Sequence, residues 1–358
     1  MDKVVIVTGS GGLVGGEACR YYLKNGYFVV GIDNNMRKQF FGDDGSTKNE
    51  YDDLNTEFNK NYEHWTADIR DFGAMESVFK HFNKCIIAVI HTAAQPSHDL
   101  AASFPLTDYA INSTGTINLL EACRLYAPQA SFIFTSTNKV YGDLPNNINL
   151  AETDTRFTPT NLTKYKNGIN ELMSIDQSTH SLYGASKISA DIMVQEYGRY
   201  FKMNTAVFRG GCLTGPRHKG VELHGFLSYL LKCVVHEKPY TIFGHGGKQV
   251  RDIIHCSDLI KAFDLYIQNP LNQGVVYNIG GGIYSNCSIL EAIKIIEEIS
   301  GKKLNYTISD IPRVGDHKWW ISDLTKFKEH YPEFQIQYTL PKIIQEMVDF
   351  ELSTIISK

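Results

Sequence analysis

Short, almost wholly apolar runs recur along the first two-thirds of the chain. Val4–Val7, Tyr27–Ile32, Cys85–Ile90, Ser131–Phe134 and Thr205–Phe208 hold few polar residues. Strict alternation would mark a sheet with one wet face. Continuous runs of this length predict parallel strands covered on both faces. Amphipathic stretches near residues 13–25, 73–82, 113–126 and 183–201 lie between them and predict helices. Strand–helix–strand repetition of this kind predicts an α/β protein with a doubly wound parallel sheet.

Two stretches break the rhythm. Residues 34–63 are rich in Asn, Asp and Lys, and residues 143–180 carry Pro, Asn and Thr without a period. Loops of such length in a compact domain are functional or disordered. The first fits either description. The second is expected to cover substrate, because it runs into the strongest catalytic motif. Beyond residue 210 the pattern loosens into helices expected near 223–237, 257–268, 288–300 and 341–353. Val275–Ile279 is expected to return to the first sheet. The expected organisation is therefore a first domain over 1–209, with a return segment of about 252–282, and a smaller α/β C-terminal lobe over 210–251 and 283–358.

The first strand runs into Thr8-Gly9-Ser10-Gly11-Gly12-Leu13-Val14-Gly15. Glycines at 9, 12 and 15 allow a tight turn and close backbone approach, and they lead into a helix N-terminus suited to a pyrophosphate. Strand, glycine turn and helix together are the context of a dinucleotide-binding Rossmann unit. The second strand ends in Ile32-Asp33-Asn34. A carboxylate at Asp33 can accept bonds from ribose hydroxyls and would repel a 2′-phosphate, so NAD is favoured over NADP. Arg37 lies near enough to soften that preference. Asp68-Ile69 closes a short extended segment. His91-Thr92-Ala93-Ala94 closes a later strand with small residues that let a cofactor backbone lie close.

Tyr183-Gly184-Ala185-Ser186-Lys187 opens an amphipathic helix. Residues four apart share a helix face, so phenol and ammonium lie together. A tyrosine with a pKa of about 10 is a poor base at neutral pH. A neighbouring ammonium favours its phenolate. Upstream, Phe134-Thr135-Ser136-Thr137-Asn138 ends an apolar strand in hydroxyls, at the strand end where open α/β sheets bind ligands. A hydroxyl at Thr137 could hold a substrate oxygen against Tyr183.

In this order, the glycine triplet, Asp33, Asp68, the strand-end hydroxyls and the Tyr183/Lys187 pair resemble the extended short-chain dehydrogenases/reductases, over nearly the whole chain. Asn112-x-x-Gly115-Thr116-x-Asn118-Leu119-Leu120-Glu121-Ala122 resembles that family's fourth-helix segment. The resemblance implies a catalytic tetrad of Asn112, Thr137, Tyr183 and Lys187. It also implies NAD contacts at Gly9, Gly12, Leu13, Val14, Gly15, Asp33, Asn34, Asp68, Ile69, Ala93, Ala94, Tyr183 and Lys187. Gln95, Ser136, Thr137, Asn138, His180, Cys212, Arg251 and Arg313 would line the substrate. The Arg251 and Arg313 motifs resemble the family's diphosphate contacts, for which the planar guanidinium fork suits paired oxygens. Both arginines fit lobe-joining ion pairs as well, and His180 fits a structural hydrogen bond as well as a substrate contact.

The residues after Thr137 bear on the reaction. The family's 4,6-dehydratases carry an Asp-Glu pair there, whereas this chain has Asn138-Lys139. The run Ser136–Asp143, with Lys248-Gln249-Val250-Arg251-Asp252, resembles the CDP-paratose (CDP-tyvelose) 2-epimerases. Where 4-epimerases have an Arg-x-x-Asn segment, this chain reads Arg209-Gly210-Gly211-Cys212. The resemblance thus implies an NAD-dependent epimerase that inverts C2 of a nucleotide-diphosphate sugar, of CDP-paratose, CDP-tyvelose or CDP-glucose type, through a 2-keto intermediate. A 4-epimerase or a net oxidoreductase on the same scaffold is the alternative. A cofactor-sensing regulator would have no use for Tyr183 and Lys187. The family also implies a homodimer through the helices near 113–126 and 183–201.

Composition narrows the partners. The formal net charge is −4, with 21% charged residues. Nothing there favours a general polyanion or membrane-surface binder, so an anionic substrate needs local basic residues. Seven cysteines without a CxxC pair are expected to be free thiols in a reducing cytosol. Met1-Asp2-Lys3 leads straight into Val4 without the features of a signal peptide, and no apolar run approaches the roughly 20 residues that span a bilayer. Twelve histidines occur without an HExxH pattern or a Cys/His cluster, so no metal site is expected.

Overall fold

The computed structural model describes residues 3–356, apart from Leu223, Asn272 and Val314. The start of the helix expected from residue 223, and Val314 of the Arg313–Asp316 motif, therefore lie outside the described residues. Two compact units emerge. The first comprises residues up to Val140, Leu182–Arg209 and Ile260–Tyr277; the second comprises Tyr141–Ser181, Gly210–Leu259 and the chain from Asn278 onward. The expected boundaries shift accordingly. Residues 141–181 belong to the second unit, and the segment returning to the first is shorter than 252–282.

Among the described residues the largest sheet has seven strands: β1 (Val4–Thr8), β2 (Phe28–Ile32), β3 (Tyr62–Trp65), β4 (Ile86–His91), β5 (Ser131–Thr137), β6 (Thr205–Gly210) and β7 (Val275–Ile279). Their spatial order is β7-β6-β5-β4-β1-β2-β3. The ladders joining β5, β4, β1, β2 and β3 are parallel. Every residue of β1 is buried, as its unbroken apolar run requires. Helices α1 (Leu13–Lys24), α2 (Met36–Phe41), α3 (Lys48–Glu57), α4 (Phe72–Phe82), α5 (His98–Ser103), α6 (Pro105–Tyr109), α7 (Gly115–Tyr126) and α8 (Leu182–Phe201) accompany it. The α/β, doubly wound architecture agrees with the hydrophobic pattern. Strand order reverses between β1 and β4, and an open α/β sheet binds ligands beyond the strand ends at such a switch point.

Residues 34–63 are ordered. They form α2, α3 and the start of β3, with Leu54 of α3 buried and an Arg20–Glu50 ion pair tying α3 to α1. Their polar composition hides this because two short helices with a single buried apolar side chain between them carry little hydrophobic signal.

The second unit has its own core. The helices Phe226–Val235, Ile289–Ser300 and Leu340–Ile356 bury Leu230, Val234, Ile293, Ile343 and Ile344 with Ile242 and Ile253. Strand Val250–His255 pairs with Cys212–Thr214, Asn286–Ser288 and Trp319–Trp320. Residues 141–181 are woven into this unit. Leu150–Glu152 and Phe157–Pro159 form an antiparallel hairpin. Asn278 gathers the rest: its amide accepts from Tyr141 Oη at 2.8 Å and donates to the Ile169 carbonyl at 2.9 Å, while its backbone N–H donates to Glu171 at 2.7 Å. This stretch, expected only as a cover, is a packed part of its unit because its own polar side chains supply the partners that a periodic pattern would have supplied.

Candidate active site

Two groups of side chains stand out, one in each unit. In the first unit the glycine turn sits at the switch point. Gly9 adopts φ +70°, and a Cβ there would meet Ala93 N at 2.8 Å. Gly12 N donates to the Gly9 carbonyl at 2.9 Å, and a Cβ on Gly15 would lie 2.1 Å from that same oxygen. Turn, β4 end and α1 therefore close up as a backbone-lined cradle. Gly12 caps α1 without a side chain, so the first N–H groups of α1, at Leu13, Val14 and Gly15, are offered by the backbone alone.

Asp33 is held firmly. Its carboxylate accepts from Gly11 N at 3.0 Å, Asn35 N at 2.8 Å and Thr47 Oγ1 at 3.0 Å. Thr47 comes from the stretch that composition left undefined and carried no sequence signal. Asn34 accepts from Met36 N and donates to Asp68 at 3.3 Å. Asp68 is clasped by the Arg70 guanidinium, which holds its carboxyl below the usual range. Ile69 is buried against Gly115, where a Cβ would meet Ile69 Cδ1 at 2.5 Å. Arg37 packs its guanidinium over the Phe41 ring at 4.7 Å, and burial lowers it to about 10.

The catalytic candidates converge in the same unit. Tyr183 and Lys187 lie in the first turns of α8, and the phenol is set against Thr137 at the end of β5. Burial pushes the phenol up to about 12, and Thr137 works against that shift. Lys187 donates to the Thr135 carbonyl at 2.8 Å and lies over the Phe134 ring at 4.1 Å. Burial lowers its ammonium to about 7, while Asp191 and Asp108 oppose that fall. The His98 ring meets the Tyr183 ring edge-on at 5.0 Å.

Asn112 sits in a π-helical turn, Ala110–Thr114, a distortion frequent at functional sites. Its side chain grips the Gln95 backbone from both sides, accepting from Gln95 N at 3.0 Å and donating to Gln95 O at 3.1 Å. It also reaches Ser186 Oγ at 3.0 Å and Asp108 at 3.1 Å. Sequence reasoning missed Asp108, an isolated acid in a short helix.

Two expected substrate contacts require correction. The Gln95 side chain is 1% exposed and is spent on Ser97 and Asp108. Ser136 is buried too, and its hydroxyl donates to Asp191 at 2.6 Å. Adjacent strand residues point to opposite faces, so Ser136 and Thr137 cannot both face the phenol. Asn138 is buried beside Thr137, 3.5 Å from its hydroxyl.

In the second unit a cleft is lined by Phe226, Tyr240, Phe243, Gln249 and Ile289, together with Arg251, Arg313 and Asp316. The two arginines thus share one cleft despite their distance in sequence. Arg251 pairs with Asp316, and Arg313 lies over the Phe243 ring at 4.7 Å. Gln249 donates to the Phe243 carbonyl at 3.2 Å, and its own buried carbonyl oxygen has no partner among the described residues. Neither Cys212 nor His180 lines this cleft. Cys212 lies in the strand paired with Val250–His255, against the second core. His180 bonds the Ile175 carbonyl at 2.9 Å, a structural contact.

A family model, the NAD dependent epimerase/dehydratase family, matches residues 5–280. The chain belongs to the NAD dependent epimerase/dehydratase family. Members of this family use NAD, and the cradle described above fits it, with a glycine turn too tight for side chains and a carboxylate at the end of β2. The chain is 32% identical to CDP-paratose 2-epimerase of Salmonella typhi, over 90% of this chain and 91% of that protein. It is 29% identical to human UDP-glucose 4-epimerase, over 86% and 85%. A crystal structure of UDP-glucuronic acid 4-epimerase from Bacillus cereus, in complex with UDP-glucuronic acid and NAD, superposes with a TM-score of 0.75 at 25% identity, over 98% of this chain and 99% of that one. The protein is an NAD-dependent enzyme of the epimerase kind. Among the described residues, no group of three His, Cys, Asp or Glu is placed to hold a metal ion, and no helix is long and apolar enough to cross a membrane.

Proposed function

We propose that the enzyme inverts C2 of a nucleotide-diphosphate sugar, of CDP-paratose, CDP-tyvelose or CDP-glucose type, through a transient 2-keto intermediate. The observation that carries this reading is the placement of the Tyr183 phenol against Thr137, with Lys187 one helical turn away. Asn138 and Lys139 after Thr137 leave out the carboxylates that elimination of water would require. Similarity to a CDP-paratose 2-epimerase supports attack at C2 and a cytidine nucleotide. The resemblance to 4-epimerases supports a second reading, inversion at C4 on the same scaffold.

In this reading the first unit holds NAD at Gly9, Gly12, Leu13, Val14, Gly15, Asp33, Asn34, Asp68, Ile69, Ala93 and Ala94. The second holds the nucleotide diphosphate at Arg251 and Arg313. Bound NAD supplies reversible hydride chemistry. Tyr183 takes the proton of the sugar hydroxyl and later returns it. Thr137 holds that oxygen, and Lys187 sustains the phenolate by its charge. Asn112 fixes the turn beneath α8 through Ser186. Two guanidinium groups in one cleft offer the paired donors that phosphate oxygens take. A homodimer through α7 and α8 is supported by large apolar side chains exposed on them, Leu125 at 46% and Tyr200 at 79% among them.

Proton NMR of the enzyme incubated with CDP-, UDP-, GDP- and TDP-glucose tests the proposal. Inversion at C2 without net NADH is the expected result. Inversion only at C4, or accumulation of NADH, would overturn it.

A further inference from the structure

Asp108 lies on the short helix α6, 2% exposed, in a chain whose acids mostly face water. Burying a carboxylate costs several kcal/mol unless hydrogen bonds and a counter-charge replace water. Its neighbours supply the bonds. Gln95 Nε2 donates to Asp108 Oδ1 at 2.7 Å and Asn112 Nδ2 at 3.1 Å. Gln95 in turn donates to the Ser97 carbonyl and accepts from Ser97 N at 2.6 Å. Ser97 caps α5, which begins at His98, the residue whose ring meets Tyr183. Asn112 reaches Ser186, whose hydroxyl donates to the Tyr183 carbonyl at 3.0 Å. Two routes therefore lead from one carboxylate to the same tyrosine.

The charges around Lys187 explain why this residue is an acid. Tyr183 and Asp191 face it from α8, Asp108 from α6 and His91 from β4. Burial disfavours the charged form of His91. Asp191 receives the Arg209 guanidinium of β6 at 2.9 and 3.0 Å, so its charge is matched. Asp108 is met by neutral donors, Gln95 and Asn112.

We propose that Asp108 is a positioning residue for the Tyr183–Lys187 pair, its carboxylate fixing Asn112 and the Gln95–Ser97 turn and supplying the negative charge that faces the Lys187 ammonium. This rests on Tyr183 being the proton carrier. An anion beside the pair holds protons on both members. A tyrosine that must return the proton it takes needs that restraint, and the ammonium that supports it must stay charged.

Asp108→Asn keeps the acceptor oxygen and removes the charge. The test follows tyrosinate absorbance against pH in the NAD-loaded enzyme, subtracting the Tyr183→Phe counterpart from each protein. The midpoint assigned to Tyr183 is expected to fall by about one pH unit, with NAD retained. Coinciding midpoints would overturn the proposal, since a merely structural role would lower stability without moving them. Should Asp108→Asn fail to fold, Asp108→Ser keeps an acceptor without a charge and is read the same way. A shifted midpoint together with full turnover by Tyr183→Phe would sink the catalytic reading instead. An unshifted midpoint with an inactive Tyr183→Phe would sink only the role of Asp108.

Discussion

Gly15 stands so close to Gly9 that a Cβ on it would lie 2.1 Å from the Gly9 carbonyl oxygen. Both partners are backbone, so no rotamer change relieves the clash. Gly15→Ala must open the turn and displace the first N–H groups of α1. Overpacking of this kind costs about 1–3 kcal/mol, which if taken from binding is about 5- to 150-fold in affinity. The NAD released from purified Gly15→Ala on denaturation should fall to a small fraction of the wild-type amount, while the circular dichroism spectrum is unchanged.

Tyr183 and Thr137 divide the proton chemistry. Tyr183→Phe removes the proton carrier and is expected to lower kcat by about 10²–10⁴-fold, the usual worth of a positioned acid or base. Thr137→Val removes one hydrogen bond and should cost less, about tenfold. Both variants should keep bound NAD. Undiminished turnover by Tyr183→Phe would remove it as the base.

Arg251 and Arg313 line one cleft with aromatic walls. Arg251→Met keeps the bulk of the stem and removes the forked donor. A hydrogen bond to a charged group is worth about 1.5–3 kcal/mol, so binding of a free nucleoside diphosphate should weaken roughly tenfold or more. Isothermal titration with CDP and UDP, beside an unchanged NAD content, separates this effect from loss of the first unit.

Asp252 supplies a pH dependence of stability. It is fully buried, and burial raises its carboxyl to about 6 although Ser322 N and Gly282 N donate to it. Its other oxygen faces Gly211, where a Cβ would approach it to 2.3 Å, and has no partner among the described residues. The folded state holds this proton more tightly than the unfolded state. Its stabilising contribution is therefore fully present below the ordinary aspartate value of 3.8 and is lost as pH rises through about 6. Urea midpoints measured across that window should decline less steeply in Asp252→Asn than in the wild type. Parallel curves would show that Asp252 is not the titrating group.

Much of the fold could be read before any coordinates. The five apolar runs are β1, β2, β4, β5 and β6, differing by one to three residues at their ends, because a strand covered on both faces has no polar position to disguise it. Residues 34–63 could not be read in this way. There Asp33 is anchored by Thr47 and α3 contributes little more than Leu54 to the core, so no period develops.

Local spacing by itself determined that Tyr183 and Lys187 share a helix face, that glycines crowd the turn after β1, and that hydroxyls end β5. Each follows from backbone geometry within a few residues. Only the tertiary structure decided what those side chains meet. It turned Ser136 away to Asp191, spent Gln95 on Asp108 and Ser97, and brought Arg251 and Arg313 to one cleft. It also placed Asp108 behind the catalytic pair. Helical and strand periods state which way a side chain leaves its own element. They carry no information about which distant element lies opposite, and a buried polar group takes its role from that partner.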